Sequence, residues 1–172
     1  MEFRLTEEQR MMQESARRMV AQDIQPVLDA NDADRPLPKS ELLRIYAVLA
    51  RAGITAPRLP ESVGGGGMRM LDFGLMFEQL PPVVSISLLS HECTLARMFA
   101  ESTAEQRQRF LPDLIAGRKI CCTGTTEPDV GSDPRSVKTR VRRDGDTLVI
   151  DGSKMWITNV TACDVINVSC AE

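Results

Sequence analysis

A chain of 172 residues with 42% hydrophobic, 26% charged and 4% aromatic side chains has the composition of an ordinary globular protein. Its 21 Lys and Arg against 24 Asp and Glu leave a formal charge of −3, which speaks against nonspecific nucleic-acid binding. No run of about 18 apolar residues is present to span a membrane, and Met1-Glu2-Phe3-Arg4 carries no basic-then-apolar leader pattern, so a cytoplasmic protein is expected.

Residues 1–118 read as helices. Thr6 and Gln9 have capping-box spacing ahead of a segment in which Met12, Ala16, Met19 and Val20 recur at helical intervals. Pro26 and the polar run from Asn31 to Pro38 are expected to end it. A second helix is predicted over Ser40 to Ala52, stopped by Gly53. Residues 54–68, with Pro57, Pro60 and Gly64 to Gly67, read as a loop. Helical spacing resumes over Leu71 to Leu80 and over Ile86 to Ala100. Thr103 and Gln106 repeat the capping box, and Pro112 either kinks the last helix or starts a short new one ending at Gly117.

The pattern changes near Lys119, so residues 119–172 are read as a second domain. In Val137-Lys138-Thr139-Arg140-Val141-Arg142 every second side chain is basic, which predicts a strand with one wet face and one that can be covered. Asp144-Gly145 signals a hairpin turn, and Thr147 to Ile150 the returning strand. Met155 to Thr158 and Asp164 to Cys170 read as further strands. The expected fold class is therefore α+β: an all-helical domain followed by an incomplete antiparallel β-domain.

Most candidate sites have simple structural readings. His91 is the sole histidine, which excludes multi-histidine metal sites, and its neighbours Ser90 and Glu92 point away from it on a helix, so it is read as a core residue. The five cysteines contain no C-x-x-C pair and fit buried, reduced thiols. Cys121-Cys122 reads as strand core, and Met11, Met12, Met19, Met76 and Met98 as helix-packing residues. The Gly64–Gly67 run lacks the Gly-Lys-Ser/Thr of a phosphate loop and the third glycine of a dinucleotide fingerprint, so a flexible connection is expected.

Two segments are more informative. Thr123 to Asp133 joins a strand to a hydroxyl-rich turn, where Pro128 fixes the backbone and Gly131 permits close approach. Its successive N–H groups, with Ser132, can form a concave anion site if Asp129 and Asp133 face away. Gly152 to Asn159 holds the only Trp, Trp156, two residues before Thr158. On a strand both would share a face, a flat wall beside a hydroxyl for a planar ring.

The combination Thr126-Glu127-Pro128-x-x-Gly131-Ser132-Asp133, followed by Gly152-x-Lys154-x-Trp156-Ile157-Thr158-Asn159, resembles the acyl-CoA dehydrogenase family. Lys138-Thr139, the Asp144-Gly145 hairpin, Leu5 to Arg10, Ala52-Gly53-Ile54, Pro60-Glu61, Gly64-Gly65 and Phe110-Leu111-Pro112 fall in the family's order, so the likeness covers the whole chain. The resemblance implies an N-terminal helical domain and the first part of a middle β-domain. A C-terminal helical domain, which carries the family's catalytic Glu, falls outside this sequence.

The resemblance also implies FAD as cofactor. Thr126 would contact the flavin through its backbone and Thr123 would be a first flavin contact. Gly131 and Ser132 would lie near the pyrophosphate, with Ser132 also on the acyl-CoA path. Trp156 and Ile157 would pack at the isoalloxazine, and the Thr158 hydroxyl would reach N5. Val160 stands where the family commonly has glycine. The implied reaction is α,β-dehydrogenation of an acyl-CoA thioester, with an electron-transferring flavoprotein as acceptor, in a homo- or hetero-oligomer. Two other readings remain open: a noncatalytic flavin-site or assembly subunit needing a partner chain, and a same-fold flavin enzyme with other chemistry. A β-domain begun at Lys119 has too few strands to close on itself and half the flavin cleft is outside it, so the isolated chain is expected to be inactive and to bind FAD weakly or not at all.

Overall fold

The first helix, α1 (Glu7–Met19), begins where both halves of the capping box form, Gln9 N–H to Thr6 Oγ1 at 3.2 Å and Thr6 N–H to Gln9 Oε1 at 3.0 Å. The computed structural model describes residues 4–172; Met1 to Phe3, part of the leader pattern weighed above, lie outside the described residues. Contrary to expectation the helical path does not end at Pro26. A π-helical turn, Val20–Ile24, leads into α2 (Gln25–Asp29) with Pro26 in its first turn, and the wide turn accommodates a residue that has no N–H to donate.

Helix α3 (Lys39–Arg51) is closed by Gly53 in the left-handed region, φ 73°. It is followed by α4 (Met70–Phe77), α5 (Pro82–Glu101) and α6 (Ala104–Ile115), the last opened by the Thr103–Gln106 capping box and continuous through Pro112. Ala16, Ile24, Ile45, Leu49, Ile54, Phe73, Met76, Val84 and Leu88 form the central core. A clip of Asp72 to Gln9 Nε2 (3.1 Å) and to Arg69 Nε (2.7 Å) ties α1 to α4.

The glycine run is not a flexible connection. A Cβ on Gly65 would lie 2.2 Å from Leu59 O, and one on Gly66 would lie 2.6 Å from Gly53 O. Gly65, Gly66 and Gly67 also donate backbone hydrogen bonds to Pro60, Ala56 and Leu59. These glycines are packing residues, chosen because backbone meets backbone there.

Beyond Lys119 the chain forms β1 (Cys121–Gly124), β2 (Arg140–Asp144), β3 (Thr147–Asp151) and β4 (Val165–Val168). The α+β class holds, and β2–β3 is the expected antiparallel hairpin, turning at Gly145 with φ 60°. The other pair, β1–β4, is parallel, with Cys121 opposite Val165 and Gly124 opposite Val168. The hairpin's second face is not covered: Leu148 and Ile150 are exposed on it and Val141 is half-buried. Cys121 and Cys122 are buried, but Cys93 is exposed and Cys163 and Cys170 are half-buried, all as free thiols. Met76 and Met98 are in the core, whereas Met11 is exposed. Among the described residues no helix is long and apolar enough to cross a membrane.

Candidate functional site

Helix α5 places one face against the β-region. Ser87, Ser90, His91 and Thr94, spaced three and four apart, lie on that face. Ser87 Oγ donates to Asn159 Oδ1 at 2.7 Å, and Asn159 Nδ2 returns a bond to Ser87 O at 2.8 Å. Ser90 Oγ donates to Thr158 O at 3.3 Å. Thr94 Oγ1 lies 2.9 Å from Thr123 Oγ1 while donating to Ser90 O at 2.7 Å, so the single Thr123 proton goes to Thr94.

His91 behaves as a core residue. Its Nδ1 accepts from Cys121 N–H at 3.1 Å, which puts the proton on Nε2 for Leu114 O at 3.2 Å. Burial pulls its pKa down to about 4, so the ring is neutral and has no free nitrogen. Burial similarly pushes the Cys122 thiol up to about 12, as expected of an inert core cysteine.

The segment from Lys154 to Asn159 is an arch, not the strand expected from its β-branched and aromatic residues. Trp156 and Asn159 both have left-handed backbones, φ 58° and 70°. Trp156 and Thr158 therefore do not share a strand face. A non-glycine residue in this region is uncommon, and Trp there is strained unless its surroundings fix it. They do: Met155 N–H donates to Thr126 O at 3.0 Å, and the turn beyond is closed by Ala162 and Cys163 N–H on Asn159 O, at 2.9 and 2.8 Å. The left-handed positions fall at 156 and 159, so the β-branched Val160 sits in ordinary backbone. The Trp156 side chain is left 82% exposed.

Across from the arch, Glu127 and Val130 exchange backbone bonds of 2.8 and 3.2 Å in a tight turn. The Glu127 carboxylate, 4% exposed, accepts from Lys154 Nζ at 2.8 Å, Lys138 N–H at 2.6 Å and Thr139 N–H at 2.9 Å. The Lys154 ammonium, first among these donors, holds its pKa down at about 2. Asp129 pairs with Lys138 at 2.7 Å, and Asp133 is occupied by Arg135 N–H at 3.2 Å and by the Ser136 hydroxyl. Asp129 is thus charge-paired and Asp133 is engaged by two local donors.

The structure brings Thr126 together with the Trp156–Thr158 arch through Met155 and Lys154, and brings Thr123 to α5. Gly131 and Ser132 stand apart in an exposed turn, where a Cβ on Gly131 would meet nothing within 4 Å. Among the described residues, the Thr126 N–H and the hydroxyls of Thr126, Ser132 and Thr158 have no partner. Lys154, Glu127 and Asn159 belong to the quoted motifs but carry no role there; the hydroxyl spacing of Ser87, Ser90 and Thr94 marks a polar face of α5 but does not name what it meets. No group of three metal-ligating side chains occurs among the described residues.

Residues 6–118 match the N-terminal domain of acyl-CoA dehydrogenases, and residues 122–172 match the middle domain. The chain is 28% identical over 165 residues to a probable acyl-CoA dehydrogenase of Bacillus subtilis, covering 94% of this chain and 42% of that one. It is similar in structure to butyryl-CoA dehydrogenase from Megasphaera elsdenii, with TM-score 0.82, 28% identity, and coverage of 98% of this chain and 45% of that one. A glutaryl-CoA dehydrogenase from Mycobacterium smegmatis in complex with FADH2 gives TM-score 0.81 at 28% identity, with 95% and 42% covered. The chain belongs to the acyl-CoA dehydrogenase family, and it spans less than half the length of these relatives.

Proposed function

We propose that residues 119–172, seated on the helical domain of residues 1–118, form one wall of an FAD site in an enzyme that desaturates an acyl-CoA thioester between Cα and Cβ. The observation that carries this reading is Trp156: an exposed indole on a left-handed backbone, next to Met155, which is bonded to Thr126 O, and two residues before Thr158, both threonines keeping uncommitted donors. The residues fit the cofactor. Trp156 and Ile157 supply an apolar wall for a flat ring. The Thr126 N–H and the Thr158 hydroxyl supply donors for its polar edge, and Gly131 and Ser132 an open turn for the pyrophosphate.

FAD, when bound, would supply the hydride-accepting centre, with an electron-transferring flavoprotein as the proposed acceptor. This chain's part is to hold that centre: Trp156 keeps water from one ring face, and Thr158 fixes the edge that meets the substrate Cβ. Ser132 also borders the acyl-CoA, and the working unit is an oligomer. Thr123 contributes an acceptor only, because its proton is spent on Thr94. Glu127 is not the α-proton acceptor. Its carboxylate is buried among three donors, and a pKa near 2 makes it a weak base.

The test is FAD titration of the 172-residue chain, followed through Trp156, its only tryptophan. Saturable quenching that is weak in the chain and weaker in Thr158→Ala supports the reading; no quenching overturns it. Adding acyl-CoA anaerobically to the flavin-loaded chain is expected to leave the flavin oxidised. Bleaching would overturn the statement that this chain supplies no base.

A further inference from the structure

Two links of different kinds join the Thr126 stretch to the arch. One is the backbone bond from Met155 N–H to Thr126 O, 3.0 Å. The other is a side chain: Lys154 reaches back to donate to Thr125 O at 3.0 Å and to Glu127 Oε1 at 2.8 Å. Residues 125, 126 and 127 are therefore each tied to 154 or 155, and Thr126 is bracketed by the two acceptors of one ammonium.

The Lys154 side chain is 11% exposed and the Glu127 side chain 4%. Removing two charges from water is costly, and well-packed apolar side chains of the same volume commonly stabilise a fold as well or better. What the ion pair adds is directionality. Glu127 also holds the Lys138 and Thr139 N–H groups, so the lysine is anchored on a carboxylate that cannot swing. The span is long in sequence, 27 residues from Lys154 to Glu127, so no local turn sets it.

We infer that Lys154 and Glu127 are positioning residues that fix how the Trp156–Thr158 arch sits against Thr126, and thereby the shape of the wall that a flat ligand meets. Neither touches the ligand. The inference rests on the flavin reading for the identity of that ligand, but the rigidity of the arch is measurable without it.

The experiment compares the wild-type chain with Lys154→Arg and with the charge-neutral double variant Lys154→Met, Glu127→Gln, which leaves no unpaired buried charge. Backbone 15N relaxation across 155–159 reads the arch, and Trp156 quenching by FAD reads the binding. In the folded double variant the arch order parameters fall from about 0.85 toward about 0.6, and FAD half-saturation rises about tenfold or more. Lys154→Arg, which keeps the charge and can reach both acceptors, restores both. If the folded double variant keeps a rigid arch and an unchanged half-saturation, the inference is overturned. If wild type shows no quenching, the flavin reading fails, and the relaxation data alone decide whether the pair sets the arch.

Discussion

Asn159 joins the arch to two helices, and its contribution divides into a side-chain part and a backbone part. The side chain donates to Ser87 O at 2.8 Å and accepts from Ser87 Oγ at 2.7 Å, with Tyr46 OH at 3.5 Å at the limit of a bond. Tyr46 OH itself donates toward Ser87 O at 3.0 Å, so the cluster is closed on the helix side, and burial pushes the tyrosine pKa far up. Asn159→Gly removes the two strong bonds at about 1 kcal/mol each, about 2 kcal/mol in all. Asn159→Ala removes the same bonds and adds the left-handed penalty of about 1 kcal/mol at φ 70°. For a chain of this size 1 kcal/mol is worth about 2–4 °C in melting temperature, so glycine lowers it by about 4–8 °C and alanine by about 6–12 °C. Differential scanning calorimetry on the three proteins makes the measurement. Alanine no worse than glycine would show that the backbone strain is not real; no loss in either variant would show that the arch is not anchored through Ser87.

Since the folded pKa of His91, about 4, lies below its ordinary value of 6.5, the unfolded chain binds the extra proton between those pH values. Stability is full above pH 6.5, falls as pH drops toward 4 and then levels off in this term; NMR titration of the single histidine should show no midpoint near 6.5 in the folded chain. Gly65→Ala drives a Cβ to 2.2 Å from Leu59 O and is expected to cost about 1–3 kcal/mol or more. Gly131→Ala meets nothing within 4 Å and should leave the melting temperature within about 2 °C of wild type.

Where the fold was legible, the signal was local. The capping boxes at Thr6 and Thr103, the stop at Gly53 and the Asp144-Gly145 turn each depend on residues within four positions, and each formed. Pro26 misled because the penalty for a missing N–H can be absorbed by one wide turn, a choice invisible in a periodicity. Gly64–Gly67 misled because a glycine chosen for freedom and one chosen for close approach look alike until Leu59 is placed beside Gly65. In the site, the strand propensity of Met155 to Thr158 lost to two left-handed positions, at Trp156 and Asn159, in an arch held by distant partners. Those partners lie 68 to 113 residues away, at Ser90, Ser87 and Tyr46, and no spacing rule spans that distance. Glu127 was visible in the motif, yet its burial against Lys154 follows only from the path of the chain between them.

The parallel β1–β4 pair has a consequence for the order of assembly. Antiparallel neighbours can be closed by a tight turn, but parallel ones need a long crossover. Here the bonds Ile120 N–Asp164 Oδ2 and Thr125 Oγ1–Ser169 Oγ each enclose 44 residues. Helices and the β2–β3 hairpin form on microsecond scales from their own sequence, whereas closing such a loop must await chain that emerges later from the ribosome. The arch from Lys154 to Asn159 lies on the return leg of that crossover. A nascent chain thus acquires its helical core first, and the Lys154–Asn159 arch is fixed only once β4 has docked beside β1.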